Sequence, residues 1–379
     1  MQKTLLLLVL LVFTIACKTD KKQNLESNKT VLKKETLKYA KGFSITHYDT
    51  HKEIVVTSPW PNSLDTLHYI LVNKGSTFQS QKPVDAMVEC PVDRSVVMST
   101  TNIPALEYLG IDQTLVGFPG THYISSEKTR NHIENGKIKD LNSDLEINME
   151  LLLDLNPELV IGYTVNGMTK SLDQIKKFGI PLVLDGAWTE QHPLGRAEWI
   201  KFVAAFFNQE QKADSIFNQI ERNYLEAKQL VSKTKTKPVI FSGSMFKDVW
   251  HVPGGQSFIA QYFEDASTHY LWKDDDSTGS LQFNFENILE KADEADIWIG
   301  AGSFENKSQM LEQSEVYSYF KPFKNNVVYS YTKNIGPNGG LLYYELGSLR
   351  PDLILKDIIY IAHPEVLPNY ETFFFKPIE

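Results

Sequence analysis

Cysteine is almost absent from this chain of 379 residues; there are two, Cys17 and Cys90. No multi-disulfide scaffold and no cysteine-rich metal site can be built from that pair. An excess of basic charge is missing too. Lys and Arg number 38 against 47 Asp and Glu, a formal net charge of -9. That balance excludes a general nucleic-acid binder, whose partner's phosphates demand positive charge. After residue 16 there is no long apolar run, which excludes a polytopic membrane protein. Enzyme signatures are missing as well: no Gly-x-Ser-x-Gly turn, no Gly-x-x-x-x-Gly-Lys-Ser/Thr phosphate loop, no Gly-x-Gly-x-x-Gly after a strand. None of the nine histidines sits in a His-x-x-x-His helix pattern or a His-rich loop. His47 and His51 are four apart, but in a segment that reads as strand and turn. No resident metal, cofactor or catalytic group is expected.

Aromatic residues, by contrast, reach 12%, enough for both a core and a ligand groove. Residues 1–16 place Lys3 before an apolar run from Leu5 to Ile15, closing on Ala16 ahead of Cys17. About a dozen apolar residues fall short of the ~20 that span a membrane as a helix, and the layout is that of a secretory signal peptide. Thr14-Ile15-Ala16-Cys17 is similar to a bacterial lipobox, which makes Cys17 the candidate lipidation site. Residues 17–40 are polar and Lys-rich and read as a tether. With Cys17 lipidated, Cys90 has no partner and is expected as a buried thiol.

Within residues 41–193, the segments Phe43–His47, Glu53–Ser58 and Leu67–Val72 alternate like strands of a small antiparallel meander. From Val96 the pattern changes to short apolar runs (Val96–Met98, Thr114–Phe118, Leu159–Gly162, Leu182–Leu184) separated by helix-like stretches at Ile103–Leu109, Asn148–Leu155 and Lys170–Phe178. That alternation predicts a mostly parallel sheet covered on both faces. Residues 194–237 carry apolar side chains at spacings of three and four, the stripe of a long helix, with a break expected at Asn208-Gln209. Residues 238–379 repeat the α/β order, with strands at Val239–Phe241, Ile297–Ile299 and Val327–Tyr329 and helices at Phe258–Phe263, Glu286–Lys291 and Leu353–Ile361. The fold class is α/β: two lobes, a long connecting helix and an added meander.

Asn148-Met149-Glu150-Leu151-Leu152, followed by Leu155-Asn156-Pro157-Glu158-Leu159-Val160, resembles a signature in the first lobe of substrate-binding proteins of ABC importers for ferric siderophores, haem and cobalamin. Gly179-Ile180-Pro181-Leu182-Val183 resembles the strand entry that follows it, and Asn284-Phe285-Glu286-Asn287-Ile288 the matching segment of the second lobe. The resemblance covers about residues 92–367 and leaves the meander as an addition. It implies a monomer of the periplasm, lipid-anchored to a membrane, that carries an iron complex or a corrinoid to a permease with its ATPase. It also implies that Glu150 and Glu286, one per lobe, dock on permease arginines. Haem is a further cargo of the class, and a surface scaffold lipoprotein with no small ligand is the rival reading.

Ligands of α/β lobes approach the loops at the carboxyl ends of the strands. That rule nominates Ser99, Thr100, Thr101, His122, Tyr123, Tyr163 and Trp188 in the first lobe. In the second it nominates Ser244, Met245, Phe246 and Tyr331, with Trp250 just beyond. Arg196 and Glu198, at the start of the long helix, read as a local pair or cap.

Overall fold

The computed structural model describes residues 30–76 and 78–379, so Cys17 and the signal-peptide and lipobox segment lie outside the described residues. The chain first builds a five-stranded sheet in the order β1 (Val31–Lys34), β2 (Phe43–Tyr48), β3 (His51–Thr57), β4 (Thr66–Asn73) and β5 (Ala86–Cys90). Its period-two alternation buries one face: Phe43 pairs with Val56 and Ile45 with Ile54, all four buried. The meander is larger than the sequence reading. β1 lies inside the stretch read as a tether and pairs antiparallel with β2, and β5 joins β4 in parallel. Cys90, at the end of β5, is a buried free thiol pushed up to about 12 by burial.

The first lobe follows. Its strands β6 (Ser95–Val97), β7 (Leu115–Phe118), β8 (Lys139–Asp140), β9 (Leu159–Gly162) and β10 (Leu182–Leu184) lie in the order β10-β9-β6-β7-β8, all parallel. Every residue of β6, β7, β9 and β10 is buried, as a sheet flanked on both faces requires. Helices α1 (Ile103–Leu109), α2 (Glu127–Glu134), α3 (Met149–Leu155) and α4 (Lys170–Lys177) make the crossovers.

Three helices cross to the second lobe: α5 (Pro193–Glu198), α6 (Ile200–Ala205) and α7 (Glu210–Leu230). The break after α6 falls at Asn208, whose φ of 54° is left-handed, within the Asn208-Gln209 pair where the sequence places it. The 21 residues of α7 span about 30 Å.

In the second lobe, β11 (Val239–Ser242), β14 (His269–Tyr270), β16 (Ile297–Ile299), β17 (Val328–Ser330) and β18 (Lys376–Pro377) form a sheet in the order β14-β11-β16-β17-β18, antiparallel only at β18. A second small antiparallel sheet, β12 (Ser244–Phe246), β13 (Val249–Pro253) and β15 (Ser280–Phe283), is absent from the sequence reading. Helices α8 (Phe258–Asp265), α9 (Phe285–Ala292), α10 (Lys307–Gln313), α11 (Lys321–Lys324), α12 (Leu342–Leu346) and α13 (Pro351–Ala362) complete the lobe.

Two buried carboxylates fasten the N-terminal sheet to the junction between the lobes. Glu198 of α5 accepts the backbone N–H groups of Lys38 (3.0 Å), Tyr39 (2.8 Å) and Ala40 (2.9 Å), and Lys201 Nζ at 3.1 Å. Glu190 accepts from Lys41 N and Gly42 N, both at 2.8 Å, and from Trp199 Nε1 at 3.0 Å. Charge-assisted bonds of this kind are about twice as strong as neutral ones. Glu198 is therefore not a partner of Arg196, contrary to the sequence reading. On the opposite side, Glu345 of α12 accepts Ser125 N at 2.7 Å and Ser126 N at 2.9 Å from the first lobe. Nearby, Arg350 donates to Tyr108 Oη at 2.9 Å.

Glu198→Ala leaves the N–H groups of Lys38, Tyr39 and the buried Ala40 without this acceptor and removes one of the two carboxylates facing Lys201. A loss of about 3 kcal/mol in urea unfolding is expected, together with faster hydrogen exchange at Lys38–Ala40. Unchanged exchange there would refute the anchor. Glu345 gives a pH signature. Burial, reinforced by the negative charge of Glu107, pushes its carboxyl up to about 7 from 4.5, against the pull of the two N–H donors. Between those values the folded chain holds a proton that the unfolded chain has released. This group's contribution is thus present at low pH and is lost as pH rises through about 7. The urea midpoint should fall from pH 5 to pH 8, and Glu345→Gln should flatten that slope. A slope left unchanged in the variant would reject Glu345 as its source.

Candidate functional site

Loops from the carboxyl ends of both central sheets meet at a cavity of about 720 Å³ between the lobes. Trp188 and Thr189 reach it from the loop after β10, Ser242–Ser244 from the end of β11, Gly300 and Gly302 from the loop after β16, and Tyr331 from the end of β17. Ser257 and Phe258 come from the start of α8, and Arg196 from α5. Tyr344 also lines an adjoining cavity of about 400 Å³ on the first-lobe side, with Ser99, Thr100, Tyr123, Tyr163 and Asp144. A third cavity, of about 800 Å³, shares Ser58, Thr189, Glu190, Gln191 and Ser257 with the first. The three form a branched trough along the lobe boundary.

Arg196 governs the electrostatics of the first cavity. Its guanidinium lies 3.9 Å from the ring centroid of Phe258. Its Nε is buried without a hydrogen-bond partner, and among the described residues it forms no ion pair. Burial pushes its pKa below the usual range, against the pull of Tyr262, Tyr343, Asp185 and Glu190, yet an arginine stays charged in a protein. Trp188 also lines this cavity, and its Nε1 is likewise buried without a hydrogen-bond partner. Both groups are donors. Arg196 lines the cavity, so its cation suits an occupant that brings negative charge or acceptor oxygens. The nearest carboxylates are already committed: Asp185 is buried and raised by desolvation while accepting from Ala187 N and the Asn102 amide, and Glu190 holds Lys41 and Gly42.

Of the residues nominated from sequence, Trp188, Ser244 and Tyr331 line the larger cavity, and Ser99, Thr100, Tyr123 and Tyr163 the smaller one. The Tyr163 hydroxyl donates to Asp144 Oδ2 at 2.9 Å, and burial pushes it up to about 12. The other five stand elsewhere. Trp250 is fully buried in the second lobe, packed on Phe241, Trp298 and Phe320 at 5.2–5.5 Å between ring centroids. Met245 packs against the same core. Phe246 is exposed at the hairpin tip, with Lys247 Nζ 5.2 Å from its ring centroid. Thr101 donates its N–H to the Oγ of Ser99, which caps the turn before α1. His122 is exposed, its ring centroid 4.0 Å from that of Tyr123. Period two explains Trp250: along β13 it is buried in the core, while its neighbour His251 is turned to the cavity.

Glu150 and Glu286 occupy equivalent positions in the two lobes. Each lies exposed in the first turn of its helix, two residues after an Asn N-cap. Asn148 Oδ1 accepts from Leu151 N and Asn284 Oδ1 from Asn287 N, both at 3.0 Å. Among the described residues no group of three or more His, Cys, Asp and Glu side chains is placed to hold a metal ion.

Residues 96–335 match the model of the periplasmic binding protein family. An uncharacterised lipoprotein of Methanocaldococcus jannaschii is 30% identical over 362 residues, 89% of this chain and 84% of the relative. Among solved structures, a possible iron-binding periplasmic solute-binding protein of Staphylococcus epidermidis superposes with a TM-score of 0.56 at 19% identity, covering 72% of this chain and 99% of that one. The apo haem-binding protein RhuT of Roseiflexus sp. RS-1 gives 0.56 at 17% identity, with the same coverage of both chains. The lipoprotein relative and the periplasmic family model together place the chain in the periplasm on a lipid anchor. The chain belongs to the periplasmic binding protein family.

Proposed function

We propose that this protein captures an anionic metal complex, foremost a ferric siderophore, in the inter-lobe cleft and hands it to an ABC permease. The role is carriage and not catalysis, in keeping with the family. The observation that carries the reading is Arg196, a cation whose N–H donors have no ion-pair partner among the described residues, on the wall of a cavity lined by aromatic side chains. A metal bound by an organic chelator presents outward-facing oxygens to such donors, so the protein needs no metal ligands of its own. Homologous carriers are named for iron and for haem, and corrinoids and haem are the alternatives tested alongside. A scaffold without a ligand gives no reason to keep an unpaired charge in a cavity. Cys17 is the proposed point of lipid attachment. Glu150 and Glu286 are the proposed docking carboxylates; each can form a bidentate contact with a permease arginine, and two on separate lobes fix an orientation.

Tryptophan fluorescence titration of residues 18–379 tests the cargo, with ferric tris-catecholate, ferric tris-hydroxamate, haem and cobalamin, each corrected for ligand absorbance. Saturable quenching at micromolar or lower concentration is expected for an anionic chelate, and silence across the panel refutes the reading. Arg196→Gln should weaken that binding by about 10- to 100-fold, the scale of one charge-assisted hydrogen bond. It should leave stability unchanged or raised, because an unpaired charge is removed. Equal affinity in the variant would exclude Arg196 from the site. The double variant Glu150→Ala with Glu286→Ala should abolish uptake in reconstituted vesicles while ligand affinity stays at the wild-type value; intact uptake would reject the docking assignment.

A further inference from the structure

We infer that the N-terminal sheet is part of the ligand site and that Trp60, in its β3–β4 turn, is a specificity-determining wall of the cleft. The inference rests on the binding reading above and goes beyond it, because this sheet lies wholly outside residues 96–335, the segment matched by the family. Ser58, Trp60, Pro61 and Asn62 line the 720 Å³ cavity together with Arg196 and Trp188. Ser58 lines the 800 Å³ cavity as well, so the turn stands where the two meet.

The turn is built to project there. Ser58 and Asn62 bracket it with left-handed φ values of 54° and 61°, and Ser63 N closes it on Trp60 O at 3.1 Å. Trp60 is half-buried, and on its far side the first lobe comes close: a Cβ added at Gly167 would stand 3.8 Å from the indole. The sheet behind it cannot drift. Leu184 N of β10 donates to the buried Tyr69 hydroxyl of β4 at 2.9 Å, and Glu190 and Glu198 hold residues 38–42. The indole is therefore held by the first lobe in the same cavity as the cation of Arg196 and a second tryptophan. Two indoles and a guanidinium in one cavity suit a ligand with both a π-face and acceptor oxygens. A ferric tris-catecholate and a haem have such faces; a ferric tris-hydroxamate carries the oxygens without them.

The test titrates those three probes into the wild type, Trp60→Ala and Trp60→Phe of the soluble chain, each variant checked for wild-type circular dichroism and melting. Trp60→Ala should weaken the π-faced probe that binds by about tenfold and leave the tris-hydroxamate unaffected. Trp60→Phe should keep affinity within about threefold while losing part of the quenching, since the reporting indole at the contact is gone. Unchanged affinity in Trp60→Ala with unchanged quenching in Trp60→Phe overturns the inference and leaves the binding reading standing. Equal losses for the tris-hydroxamate overturn the selectivity. A wild type that binds none of the three probes overturns the inference; silence toward cobalamin too would overturn the binding reading with it.

Discussion

Two carboxylates at the start of the connecting helices hold the architecture of the site together. Glu198 and Glu190 between them accept five backbone N–H groups from residues 38–42, the indole N–H of Trp199 and the ammonium of Lys201. A buried carboxylate is costly to desolvate and is tolerable only when its lone pairs are filled. Here they are filled by a chain segment that would otherwise be free to leave. Aromatic packing completes the joint: Trp199 lies 4.6 Å from Phe43 between ring centroids. The sheet's position, the reach of its β3–β4 turn and hence one wall of the cleft all descend from this contact.

The same joint leaves Arg196 unpaired. Arg196 and Glu198 are two residues apart on α5, and positions at that spacing point to nearly opposite sides of a helix. Glu198 turns toward the N-terminal sheet and Arg196 toward the cavity. One short helix thus separates a fully neutralised charge, which stabilises the joint, from an exposed demand for counter-charge, which a ligand can meet.

Much of this was legible in the sequence. The apolar runs of β9 and β10 and the helices α1 and α4 are visible because local pattern dictates them, and strand ends in such sheets predict Trp188, Ser244 and Tyr331. Trp250 misled because the small sheet carrying it gives no parallel-strand signal, so its neighbour His251, and not Trp250, takes the cleft face. Arg196 could have been found from helix spacing alone. Trp60 could not: its place beside Gly167 and Arg196 depends on contacts over 100 residues away in the chain, fixed by two glutamates whose role is silent in their local sequence.

The lobes are bound to each other on more than one side. The three helices α5, α6 and α7 connect them, and Glu345 with Arg350 clasps the first lobe at Ser125, Ser126 and Tyr108. A joint of helices resists bending more than extended linkers do, and a second clasp removes most of the remaining freedom. Large closure around a ligand is therefore the wrong picture for this chain. The clasp itself is the adjustable part: α12, which carries Glu345, also carries Tyr344, and Tyr344 lines both the larger and the smaller cavity. A ligand that presses on Tyr344 acts directly on the contact between the lobes.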